Sequence, residues 1–293
     1  MKRKARCPAS CGELLQGVIG DSEKLISYAV NVFSEVVIEE SNTAYRDHRR
    51  TKAVEAMYKT LEYYGEPSSV GDTLSITIDS DIPVAKGMAS STADIAAAIC
   101  ATAALLGKMP NEDELAKLCV SVEPTDSTIF KALTLFDHLQ GKRIRTFEWI
   151  PDLAVLVLES DQILDTQEFR KHDYSRMRSD NQLVVERAYH LFENSYLSKD
   201  RKAFGEAATI SALANQNIIH KPKLEEIIEI STKRGCYGVN VAHSGTVVGV
   251  LYDDGQTEIE ALIEDLRRKN IFISYPSYYT TRIVQGGVRI INI

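Results

Sequence analysis

Between residues 82 and 93 the chain reads "IPVAKGMASSTA", which places Gly87, Ala89, Ser90, Ser91 and Thr92 ahead of the apolar run "DIAAAICATAALLG". Small residues let a ligand approach the backbone, and a helix starting directly after them turns unpaired N–H groups toward it. That combination suits an anion, most simply a phosphate. A helix capped after a tight turn would use the same residues, so the stretch alone leaves both readings open. Other phosphate loops do not fit. There is no G-x-x-x-x-G-K-[ST], no G-x-G-x-x-G after a first strand, and no H-R-D or D-F-G pair. What stands here is P-x-x-x-G-x-x-S-S, running from Pro83 through Val84, Ala85, Lys86, Gly87, Met88 and Ala89 to Ser90 and Ser91.

The elements that would hold such a loop can be read from periodicity. The segments "ARCPAS", "GELLQGVI", "KLISYAV" and "SEVVIEE" predict four short strands in the first 40 residues, with a turn at Gly20-Asp21-Ser22. Val54, Met57, Leu61 and Tyr64 recur at helical spacing before Gly65, and "TLSITID" alternates like a half-buried strand. The alanine-rich run after Ser90 predicts a buried helix. Another helix opens on Asn111 with acidic residues in its first turn. The strand "DLAVLVLES" starts a second block, followed by helices between about 175 and 234. Strands at "CYGVNVAH", "TVVGVLY", "IFISYP" and "GVRIINI" and the helix "TEIEALIEDLRRK" complete it. Strands interleaved with helices in two blocks, 1–150 and 151–293, predict two α+β domains.

Composition narrows the class. The 293 residues are 44% hydrophobic and 26% charged, ample for a sizeable core, and the net charge of -7 argues against nucleic-acid or acidic-membrane partners. The basic cluster "RDHRR" at 46–50 reads as a solvated face. No apolar run approaches the roughly 20 residues that span a bilayer, and "MKRKARCPAS" lacks the apolar segment of a signal peptide, so a cytoplasmic location is expected. The five cysteines, Cys7, Cys11, Cys100, Cys119 and Cys236, form no regular framework and read as reduced thiols. The six histidines are scattered, so no zinc set is expected.

Three segments together resemble the GHMP kinase superfamily, named for galactokinase and the homoserine, mevalonate and phosphomevalonate kinases. Its central motif is P-x-x-x-G-L-G-S-S-A. Here Met88 replaces the leucine, Ala89 the second glycine and Thr92 the alanine. An alanine at that glycine raises the question of whether the position requires φ > 0, which a Cβ disfavours. "CPASCGELLQG" at 7–17 is similar to the first motif, beside the phosphoryl acceptor. "GVNVAHSGTVVGVLY" at 238–252 is similar to the third, a loop closing against the nucleotide. The resemblance implies a domain like ribosomal protein S5 domain 2 followed by a ferredoxin-like domain, with the active site between them. "PASCGELLQG", "KGMASSTADIAAA", "EPTDSTIF", "LTLFDH" and "AHSGTVVG" are most similar to the branch that phosphorylates L-threonine for the aminopropanol linker of cobalamin.

The resemblance implies ATP and Mg²⁺ as cofactors and an ATP site spanning Pro83 to Ala93. Ser91 and Glu123, the latter ending "LCVSVE", would be Mg²⁺ ligands, and one serine with one glutamate suits a hard cation also held by substrate phosphates. Ser90 could instead cap the helix, and Lys86 could contact phosphate or lie solvated. Asp126 could be a base, an ammonium anchor or a cap. Ser10, Cys11, Gly12, Glu13 and Gln16 would form the acceptor wall, with Glu13 facing the ammonium, and His243, Ser244 and Gly245 the third loop. Asn31 could lie nearby or serve a turn, and the substrate carboxylate could meet Arg282 or backbone N–H groups. A homoserine kinase is the alternative within the class, and an inactive ligand sensor the alternative outside it. A diphosphomevalonate-type decarboxylase is disfavoured, because the acceptor segment has no basic residue after Arg6. Nothing in the sequence indicates an oligomeric state.

Overall fold

The computed structural model describes residues 1–162 and 172–292. The four strands expected at the N-terminus are two long ones, β1 (Lys2–Ile19) and β2 (Ser22–Glu40), paired antiparallel along most of their length. Their loop is two residues long and opens on Gly20 at φ +69°, the glycine-first turn that matches strand twist. The expected interruptions are register shifts at Pro8/Ala9, Ser10/Glu13 and Glu13/Leu15. Such bulges re-aim side chains while the ladder continues, so polar and proline-containing stretches that read as breaks are absorbed.

Around this hairpin lie β3 (Leu74–Ser80), β4 (Leu133–Asp137), β5 (Lys142–Phe147), β6 (Ala154–Glu159), β7 (Gly238–Val241), β8 (Val248–Tyr252), β9 (Ser277–Val284) and β10 (Arg289–Ile291). All pairings are antiparallel, in the order β10-β1-β7-β8-β6-β9-β2-β4-β5, with β3 also on β2. Because β1 pairs with both β2 and β7, and β9 with both β6 and β2, the pairings close into a circuit joining the two halves of the chain. The final strand returns to β1 in the first half. The β4–β5 hairpin and β9 carry no strong alternating pattern and were not anticipated. "IFISYP", read as a strand, is a 3-10 turn at Ile271–Ile273 that leaves Ile273 80% exposed and buries Tyr275.

The longer helices among the described residues are α1 (Thr51–Tyr63), α2 (Ser90–Leu105), α3 (Glu112–Val122), α4 (Ser175–Ser198), α5 (Arg201–Ala214), α6 (Leu224–Lys233) and α7 (Ile259–Arg268). In α2 every residue except Ser91 and Ala104 is buried, which explains its apolar composition on all faces. It packs on β1, β2 and α1 within the main core, while α6 and α7 cover a second core on β7 and β8. Helix α3 starts as expected. The Asn111 side chain accepts from the Asp113 and Glu114 N–H groups, and Glu114 reaches back to the Asn111 N–H. All five cysteines are free thiols. No described helix is long and apolar enough to cross a membrane.

Candidate active site

The small-residue loop alternates left-handed residues. Ala85 sits at φ +60°, Gly87 at +82° and Ala89 at +59°. The position where glycine was expected therefore does require positive φ, and Ala89 accepts that conformation at a cost of roughly 1–2 kcal/mol. Ala89, not Ser90, is the residue before the helix, and no side chain among the described residues caps α2. Its first-turn N–H groups are left for a ligand. The third motif braces the loop. The Lys86 carbonyl accepts from the Thr246 and Val247 N–H groups at 2.9 and 3.1 Å, and Gly245 packs so closely on Gly87 that a Cβ there would lie 2.3 Å from its backbone. The Lys86 ammonium donates to the Ser160 and Gln162 carbonyls at 2.6 and 3.2 Å. It ties the loop down and does not line the cleft, which corrects the phosphate-contact option.

Every residue from Pro83 to Thr92 except Lys86 lines a cleft of roughly 280 Å³, whereas Ala93 is buried behind it. Arg49, Arg50 and Lys52 line the same cleft, so part of the cluster read as a solvated face is the basic wall of the site. Arg50 is held by Asp94 at 2.7 Å and also reaches the Ser90 hydroxyl at 3.3 Å. Burial pushes the Asp94 carboxyl up, against the pull of Ser34 and Arg50. Glu123, at the end of α3, pairs with Lys52 at 2.5 Å and shares the cleft with Ser91. No motif marks these cations. Only the packing of α1 beside α2 brings them to the loop.

Asp126 lines the same cleft, together with His138, His243 and Ser244. Its N–H donates to Thr92 Oγ1 at 3.3 Å, and Ser27 and Ser127 exchange backbone-to-hydroxyl hydrogen bonds beside it. Behind Asp126 stands Glu13, only 3% exposed, which accepts from the His243 N–H and is in side-chain contact with Asp126. Burial pushes the Glu13 carboxyl well up, and the neighbouring Asp126 charge pushes it further. Lys221, 1% exposed, feels the Glu13 charge, yet burial pulls its ammonium down to about 7. Its Nζ makes no hydrogen bond among the described residues. Sequence reading missed Lys221, because nothing about "HKPKLEEI" marks a buried lysine.

The remaining acceptor-motif residues stand behind the cleft wall. Ser10 and Cys11 are fully buried, and the Ser10 N–H donates to the Met88 carbonyl. Gly12 is at φ +71° against Val241, and Gln16 donates to the Val241 carbonyl at 3.1 Å. Ser10, Cys11, Gly12, Glu13 and Gln16 thus set the shape of the site without lining it, a correction to the expected wall. Asn31 and Arg282 line a separate surface hollow, where Arg282 pairs with Asp152 and Asp254. Neither faces the cleft.

An uncapped helix N-terminus, a basic wall and carboxylates share one cleft, an arrangement suited to phosphoryl transfer. The family described as GHMP kinases N terminal domain matches residues 51–131, and that described as GHMP kinases C terminal matches 189–271. The chain is 38% identical over 286 residues to an L-threonine kinase of Citrobacter freundii, covering 98% of this chain and 99% of that protein. An L-threonine kinase of Salmonella typhimurium matches with 38% identity over 286 residues, 98% of this chain and 95% of the relative. Among solved structures, mevalonate diphosphate decarboxylase from Staphylococcus aureus superposes with a TM-score of 0.76, covering 99% of this chain and 98% of that one. At 14% identity that likeness is one of fold. The chain belongs to the GHMP kinase family, with its α+β fold.

Proposed function

We propose that this protein is an ATP-dependent kinase that phosphorylates the side-chain hydroxyl of L-threonine, giving O-phospho-L-threonine and ADP. The observation that carries this reading is the near full-length identity to L-threonine kinases. The cleft supports it by offering a phosphate end and an acceptor end. The α2 N-terminus and the loop N–H groups hold the nucleotide phosphates, with Arg49, Arg50 and Lys52 supplying charge. Ser91 and Glu123 fit Mg²⁺, since both are oxygen donors on the same cleft and Glu123 already draws a cation, Lys52. Mg²⁺ bound there would neutralise charge on the transferring phosphoryl group.

Asp126 holds the substrate ammonium. Asp126 lines the cleft, whereas Glu13, whose carboxyl burial pushes well up, stands behind it, so Asp126 is the carboxylate of the pair that a bound ammonium reaches. A loose transition state tolerates the lack of a strong base. The same reading divides the chain at 150, puts the enzyme in the cytoplasm and assigns its product to the aminopropanol linker of cobalamin. Initial rates of ADP formation on threonine, serine, homoserine, mevalonate and galactose test the proposal. Threonine is expected to exceed serine ~10- to 200-fold in kcat/KM, the worth of one methyl group. Homoserine should rank below both, because its hydroxyl is displaced from the in-line position. Homoserine outrunning threonine, or ATP binding with no acceptor turned over, would overturn it.

A further inference from the structure

Beside the acceptor end lies a second group of chemistry-bearing side chains that phosphoryl transfer does not use. Glu23 on β2, His138 directly after β4 and His243 two residues after β7 place one carboxylate oxygen and two ring nitrogens within 4.8 Å of one another. The His243 Nε2–Glu23 Oε1 distance is 3.4 Å, and the His138 Nε2–Glu23 Oε1 distance is 4.0 Å. All three side chains are largely buried, and the two rings meet edge to face with centroids 5.2 Å apart. From these positions we infer a binding site for one divalent transition-metal ion of the zinc class, formed by Glu23, His138 and His243 and separate from the Mg²⁺ position at Ser91 and Glu123.

The hydrogen bonding around His243 carries the inference. Gln16 Nε2 donates to the Val241 carbonyl at 3.1 Å, which can only accept, so Gln16 Oε1 is the atom facing His243 Nδ1 at 3.2 Å. Nδ1 therefore carries the proton, and Nε2 is turned toward Glu23 Oε1. Metal-ligating histidines are commonly oriented in this way, one nitrogen donating to an outer partner and the other facing the metal. Glu23 Oε2 is taken by Arg178 at 3.0 Å, whereas Oε1 is buried without a hydrogen bond among the described residues. A nitrogen and a carboxylate oxygen facing each other at 3.4 Å is the edge of a tetrahedron with arms of about 2.1 Å, the usual zinc–ligand distance. Two imidazoles and one carboxylate select zinc-like ions over Mg²⁺, which prefers oxygen ligands. His138 and His243 also line the cleft, so the remaining coordination position opens toward the acceptor end.

The test is Co²⁺ titration of the untagged, chelator-treated full chain with Mg²⁺ in excess, read by visible absorption and calorimetry, with Zn²⁺ as competitor. One equivalent should bind with a d–d band displaced by Zn²⁺. His138→Ala and Glu23→Gln should each weaken Co²⁺ binding by at least about 100-fold, and Gln16→Leu, which removes only the outer partner, by ~10- to 100-fold. Glu123→Gln should leave Co²⁺ binding unchanged, which separates this site from the Mg²⁺ position. Circular dichroism confirms each fold, and Glu23→Gln, nearly isosteric, keeps the test valid if His138→Ala does not fold. No Co²⁺ uptake by the folded wild type, or uptake indifferent to both ligand substitutions, would overturn the assignment and leave a histidine–glutamate proton pair.

Discussion

The two ends of the cleft are built differently. Every residue from Pro83 to Thr92 except Lys86 enters the phosphate end in sequence order, from one loop and the start of one helix. The acceptor end gathers Glu13, Asp126, Lys221 and His243 from four separate segments. The first is a local structure. Its conformations at Ala85, Gly87 and Ala89 and its open helix N-terminus need only nearby residues and a brace from the third motif. The second exists only because β1, β7 and the segment after α3 meet, and its charges are adjusted by burial instead of by solvent. A local site loses function when one contact is cut. A gathered site also answers through stability and pH.

The largest expected effects lie at the phosphate end. Ser91→Ala should lower kcat about 100- to 1,000-fold, or roughly 2.7–4 kcal/mol of transition-state stabilisation, while ATP affinity changes little. Glu123→Gln should behave in the same way with altered Mg²⁺ dependence. Steady-state kinetics across an Mg²⁺ series check both, and normal turnover in either would dissolve the contrast between the ends. At the acceptor end, Asp126→Asn should raise KM for threonine ~10- to 100-fold, the worth of a charge-assisted contact, with KM for ATP nearly constant. If instead kcat falls and the acidic limb of the pH–rate profile vanishes, Asp126 is the base.

Lys221 gives a smaller effect with a pH signature. Its pKa is lowered from 10.5 to about 7, so between those values the unfolded chain binds more protons than the folded one. Stability must then rise with pH across that window, and the penalty of burying the ammonium is fully present below pH 7. Lys221→Met should therefore stabilise the fold by about 1–2 kcal/mol at pH 7, with the gain fading toward pH 10. Urea denaturation at several pH values measures it, and a destabilised variant at pH 7 would mean that Lys221 is a required partner of Glu13. The smallest effect belongs to Ala89→Gly. Relief of the left-handed strain, offset by glycine's extra chain entropy, should raise stability by up to about 1 kcal/mol, visible as a small upward shift in Tm.

Much of the phosphate end was legible because its signals are short-range. The small residues before a buried helix, the helix start at Asn111 with its acidic first turn and the helical spacing in α1 are patterns within a few turns of chain, and the structure bears out each. Lys86 was misread because its partners, the carbonyls of Ser160 and Gln162, lie more than 70 residues away. Arg49 and Arg50 read as surface charge, since a basic run looks the same whether it faces solvent or a cleft. The β4–β5 hairpin and β9 were missed for a related reason. Strands held by pairing to β2 and β6 need little periodicity of their own.

The sequence by itself determined the family, the loop and the helix that the loop feeds, because glycine tolerance, capping and helical periodicity act between neighbours along the chain. Only the tertiary structure decided which charges the cleft holds. It moved Glu13 behind Asp126, buried Lys221 beside it, and set His138 and His243 against Glu23. Those encounters span from about 110 to more than 200 residues of chain and arise where strands pair across the sheet circuit. The environment that sets a buried side chain's charge is made of residues remote in sequence, and that environment forms only when the two halves close on each other.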